Sequence, residues 1–90
     1  GQWDEEICHK NDIPLPSITV KYMTSRWGSC TPSKAHISMS LRLMHYPIQS
    51  AEYVLLHEYV HFLVPNHSKR LYQTVKKYMP EYQEYDSYLK

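Results

Sequence analysis

The spacing of apolar positions changes along this chain, and each change predicts an element. In residues 2–11, QWDEEICHKN, Trp3, Ile7 and Cys8 can share one face, which predicts a short helix. NDIPLP, with an Asn-Asp pair and two prolines, ends it. In residues 18–23, Ile18, Val20 and Tyr22 alternate with Thr19, Lys21 and Met23, as in a strand. Residues 24–35, TSRWGSCTPSKA, hold Gly28, Pro32 and small polar side chains, and read as a connection. Residues 36–43 alternate again. Ile37, Met39, Leu41 and Leu43 take one side, and His36, Ser38, Ser40 and Arg42 the other, which predicts a half-buried strand. The two strands are expected to pair as an antiparallel hairpin.

From Pro47 to Val64 the pattern is helical, with Pro47 suited to a first turn and Pro65 ending the run. Its second half is apolar almost all round, as expected of a buried central helix. A further helix over residues 68–79 carries a stripe of Leu71, Val75 and Tyr78 or Met79. Pro80 interrupts it, and EYQEYDSYL predicts a last short helix. The fold class is therefore α+β: an antiparallel hairpin packed on a central helix, with helices at the C-terminal end.

Ninety residues bound this to a single domain over residues 1–90, with a modest core that a bound metal would help to stabilise. The net charge of +1 gives no reason to propose nucleic acid or an anionic membrane as partner. Cys8 and Cys30 form no CxxC pair, which argues against a zinc ribbon, and free thiols of this kind fit a cytoplasmic location. No apolar run is long enough to predict a transmembrane helix, and no signal peptide is visible. The chain begins GQW rather than with methionine, so it reads as a trimmed or partial sequence.

Within the predicted central helix lies HEYVH, residues 57–61, in the apolar run VLLHEYVHFLV. Burying three ionisable side chains without partners is costly. On a wheel advancing about 100° per residue, His57 and His61 lie about 40° apart, so both imidazoles can grip one cation. Glu58, offset by one residue, is placed beside such a cation as a candidate general base. Core histidines satisfied by hydrogen bonds do occur, but two at i and i+4 with a glutamate between them are hard to satisfy in any other way.

A catalytic zinc usually takes three protein ligands and leaves one position for water. Pro65-Asn66 breaks the helix, and a turn there can swing His67 back towards the other two. On the residues alone, a surface histidine at a helix N-terminus explains His67 equally well. Glu52, on the wrong side of the helix, and Glu81, at the far end of the next, are the other candidates.

Taken together, SRWGSC (25–30), HIS with LRL (36–43), HEYVH (57–61), PNHSK (65–69) and YMPEY (78–82) resemble the YgjP-like metallopeptidase family, a zincin group. The family pattern is similar to His-Glu-x-x-His-x5-His, and HEYVHFLVPNH matches it in full. The resemblance implies zinc ligands His57, His61 and His67, with Glu58 as general base acting on a metal-bound water. It also implies a longer N-terminal region than this chain carries, so a complete catalytic core with part of the substrate cleft missing is expected.

The function expected is zinc-dependent peptide hydrolysis, with the strand at 36–43 as the edge that holds an extended peptide. Arg26 is a candidate substrate clamp, because a guanidinium grips carboxylate or phosphate in a fork. The same segment also reads as a tight turn in which Gly28 supplies backbone freedom and Trp27 packs on the core. Cys30 reads as a small packed residue. One or more of the nine tyrosines could stabilise an oxyanion, and the sequence does not choose which. Two rival readings share the metal site. One is hydrolysis of nucleoside triphosphates, with Arg26, Lys21 and Lys34 neutralising phosphate charge. The other is a non-catalytic zinc-containing binding module, which has no need of Glu58.

Overall fold

The computed structural model describes residues 2–10 and 15–90, with side chains from Glu5 onward. The chain runs α1 (Gln2–Lys10), β1 (Ser17–Lys21), β2 (Gly28–Thr31), β3 (His36–Ser40), α2 (Ile48–Val60), α3 (Lys69–Tyr78) and α4 (Tyr82–Tyr88), with 3-10 turns at Pro32–Lys34 and Leu41–His45. The fold is α+β: among the described residues, a three-stranded sheet and four helices surround one core. In α1, Ile7 and Cys8 are buried as their spacing predicts, while the Trp3 side chain and most of the NDIPLP break lie outside the described residues.

The sheet corrects the expected strand pairing. Its order is β1-β3-β2, with β1 parallel to β3 and β2 antiparallel to it. The hairpin is β2–β3, not the pair 18–23 with 36–43. Strand β2 escapes the alternation test because its residues are Gly-Ser-Cys-Thr, with no apolar period to read. Between β2 and β3 the chain turns through Pro32–Lys34 and Ala35, whose φ of 48° is left-handed.

Strand β3 is therefore central rather than an edge. Ile37 and Met39 are buried as predicted, but so are Ser38 and Ser40 on the other face. The alternation also stops being a strand at Ser40. Its hydroxyl donates to the Met23 carbonyl at 2.9 Å and accepts from the Arg42 amide at 3.2 Å, which folds Leu41–His45 into a 3-10 turn. Strand β1, by contrast, is exposed along its whole length.

Helix α2 packs against β2, β3, α3 and α4 at the centre of the molecule. It buries Tyr53, Val54, Leu56, Tyr59 and Val60, with Leu56 wholly excluded from solvent. Each such aliphatic side chain contributes about 1.5–3 kcal/mol. The helix ends at Val60, a turn earlier than the apolar run does, and residues 61–63 tighten into a turn. The α3 stripe is as predicted: Leu71, Val75 and Met79 are all buried. Among the described residues no helix is long and apolar enough to cross a membrane.

Candidate metal centre and active-site cleft

His57 and His61 stand one turn apart at the end of α2. Pro65 and Asn66 then carry the chain back so that His67, just before α3, faces both. Ring centroids are 4.7 Å apart for His57–His61, 4.8 Å for His61–His67 and 5.3 Å for His57–His67. One ligand atom from each lies within 4.8 Å of the others, a spacing that could hold a metal ion. Glu52 and Glu81, the other candidate ligands, are exposed and outside this cluster.

The hydrogen bonds fix which nitrogens are available. His57 Nδ1 lies 3.4 Å from Glu58 Oε2, and His61 Nδ1 lies 3.2 Å from the Val64 carbonyl. Carboxylate and carbonyl oxygens only accept, so in the neutral form of each ring Nδ1 is the donor and Nε2 is left with the lone pair. Metal-ligating histidines are held in this way, by an acceptor on the far ring nitrogen. His57 Nε2 is buried without a hydrogen-bond partner. Leaving such an atom unsatisfied costs about 1–3 kcal/mol, and a cation at the cluster would remove that cost. Burial holds the His61 pKa below its ordinary value, which favours the neutral ligand form. The donor set thus fits a divalent cation.

Glu58 is buried beside the cluster. Gly28 lies against it: a Cβ there would sit 2.9 Å from Val54 Cγ1, 3.2 Å from the Ser38 carbonyl oxygen and 3.3 Å from Glu58 Cγ. The glycine is needed for close approach of β2 to α2, not for the turn freedom expected of it, since its φ is not positive. Cys30, on the same strand, has its thiol pushed up to about 11 by burial and then by the Glu58 charge. It is a protonated packing group, in line with its sequence reading.

The cluster opens into a cleft of about 690 Å³ that Arg26, Tyr53, Glu58, Tyr72, Asp86 and Leu89 help to line. Of the three cations considered for phosphate, Arg26 alone reaches this cleft; Lys21 and Lys34 do not line it. Trp27 packs edge-on against Tyr46 at 5.3 Å, lies under the Arg42 guanidinium at 4.2 Å, and donates from Nε1 to the Leu89 carbonyl at 3.1 Å. It is a structural residue that ties the end of α4 to the loop before β2. The substrate strand expected at 36–43 is enclosed by β1 and β2, so β2 is the sheet edge beside the cleft.

Sequence reasoning missed Tyr53 and Asp86. Tyr53 lies four residues before His57 and so on the same helical face, a relation the helical wheel contains. Its hydroxyl donates to Asp86 Oδ1 at 3.1 Å. Burial and then the Asp86 charge raise its pKa, which keeps it a donor. Asp86 carries no signal of its own, because only the packing of α4 on α2 brings it to the cleft.

A helix bearing His-Glu-x-x-His, a returning third imidazole and a small sheet alongside define a metallopeptidase type of domain. The chain belongs to the YgjP-like metallopeptidase domain family, whose sequence model matches residues 2–90. No curated protein sequence matches it. Its fold is similar to the crystal structure of the metallopeptidase zymogen of Pyrococcus abyssi abylysin, at a TM-score of 0.76 and 15% identity over 98% of this chain and 89% of that one. It is similar also to the zymogen of Methanocaldococcus jannaschii jannalysin, at 0.73 and 19% identity over 98% and 90% respectively. Both likenesses are likenesses of fold.

Proposed function

We propose that the chain is a zinc-dependent peptidase in which His57, His61 and His67 hold the metal and Glu58 is the general base. The observation that carries this reading is the convergence of three imidazoles, one of them with a buried and unpartnered Nε2, beside a buried carboxylate. Zinc bound there acts as a Lewis acid and lowers the pKa of water towards neutrality. The Glu58 carboxylate takes a proton from the attacking water and returns it to the leaving amine. Its burial against Gly28 limits its motion. The free edge of β2 offers backbone donors and acceptors to an extended peptide. Arg26, exposed at the rim, can fork onto a peptide carboxylate.

Metal analysis of the purified protein, followed by digestion of casein with and without chelator, tests the reading. One equivalent of zinc and chelator-sensitive cleavage are expected. Nucleoside triphosphates offered in parallel should remain intact, because only one of the three candidate phosphate cations lines the cleft. A metal-loaded chain that hydrolyses triphosphate and leaves casein whole would refute the peptidase assignment.

A further inference from the structure

The cleft continues away from the histidines along a wall of rings. His57 neighbours Tyr53 at 6.2 Å and Tyr72 at 6.2 Å, inclined to it by 33° and 28°. Tyr82, not itself part of the cleft lining, packs 6.0 Å from Tyr53 and 6.2 Å from Tyr72. The four rings are inclined to their neighbours by 22–33°, so they form one roughly aligned aromatic array. Beyond Tyr53 the next group is the Asp86 carboxylate, with Leu89 one turn further along α4.

The two carboxylate oxygens of Asp86 have different surroundings. Oδ1 accepts from the Tyr53 hydroxyl, which fixes the plane of the group. Oδ2 is 3.2 Å from Lys90 Nζ, on a lysine side chain that is 77% exposed. An i,i+4 pair so open to water is weak. Oδ2 is thus a fixed anionic acceptor already engaged by an alkylammonium, and that engagement is easily exchanged.

We propose that Asp86 and the tyrosine wall form a subsite for a lysine or arginine side chain of the peptide substrate. The proposal rests on the peptidase reading above and adds the substrate class. A basic side chain lays its aliphatic stem along apolar and aromatic surface while its charged head seeks an acceptor. Tyrosine faces also attract cations directly. The wall followed by Asp86 Oδ2 supplies these features in that order, leading outward from the metal cluster. Lys90 occupies the acceptor from within the chain and gives way to the substrate cation.

The test separates binding from turnover. The metal-free wild-type chain is titrated by NMR with three blocked peptides, identical except for a central lysine, norleucine or glutamate. Lysine should bind about tenfold or more tightly than norleucine, the scale of a hydrogen bond to a charged group. Asp86→Asn keeps an acceptor for Tyr53 and should abolish the difference. Lys90→Ala, which disturbs nothing in the cleft wall, should strengthen lysine binding about twofold. Equal affinity for lysine and norleucine, or tighter binding of glutamate at Arg26, would overturn the proposal. With zinc present, a randomised peptide library should be cut preferentially beside lysine or arginine. Cleavage without that preference sinks the subsite and spares the peptidase. A lysine preference in binding, with no chelator-sensitive cleavage, spares the subsite and sinks the peptidase.

Discussion

The two walls of the cleft are built in opposite ways. The α2 wall is assembled from neighbours in sequence. His57 is oriented by Glu58, one residue on, and His61 by the carbonyl of Val64, three residues on. The α4 wall is assembled from contacts across most of the chain. Tyr53 reaches Asp86, 33 residues away, and Trp27 reaches Leu89, 62 residues away. The candidate ligands are thus oriented by short-range geometry, set by the end of one helix and the turn that follows it. The wall proposed as a substrate subsite depends on tertiary packing, and such contacts can open locally without loss of the core.

That contrast can be broken at four points. The largest effect is expected on the α2 wall. Glu58→Gln should retain zinc and lower kcat by about 10²–10⁴, as single-turnover peptide hydrolysis would measure. Full activity in that variant would remove Glu58 from the mechanism. His61→Ala should weaken zinc by more than about 100-fold, beyond the loss from removing an outer hydrogen-bond partner. Competition with a chromophoric chelator reads that change, and undiminished affinity would break the ligand assignment.

The remaining two concern how the walls are held. Gly28→Ala forces a methyl into contacts of 2.9–3.3 Å, and one of them is a backbone oxygen that cannot swing away. A loss of about 1–3 kcal/mol is expected in urea denaturation. A neutral result would mean that β2 and α2 approach less closely than they do here. Trp27→Phe deletes the donor to the Leu89 carbonyl, worth about 0.5–1.5 kcal/mol. Amide exchange should quicken in Tyr82–Tyr88 while Ile48–Val60 stays protected. Equal acceleration in both segments would show that the walls are not independent.

Legibility followed the same division. The periods of α2 and α3, the HEYVH pair and the Leu71, Val75 and Met79 stripe all depend on residues within two turns of one another. A helix places such residues without reference to the rest of the molecule. The strands were less legible, since Ile18 and Val20 alternate as well as Ile37 and Met39 do. Yet Ile18 is 46% exposed and Val20 58%, against 0% and 8% for the other pair. Alternation reports a strand's two faces and not its place in a sheet. Strand β2, with no apolar alternation, gave no sign that it would be the antiparallel hairpin partner of β3 expected of the strand at 18–23.

The order of residues by itself determined the helix that bears the candidate ligands, the carboxylate beside it and the break that lets a third imidazole return. Those features follow from 3.6 residues per turn and from proline lacking an amide hydrogen. Only the tertiary structure decided which strand borders the cleft, that Gly28 serves close approach rather than a turn, and that Asp86 stands at the end of a tyrosine wall. Each of these depends on surfaces distant in sequence finding one another, and no local period records that.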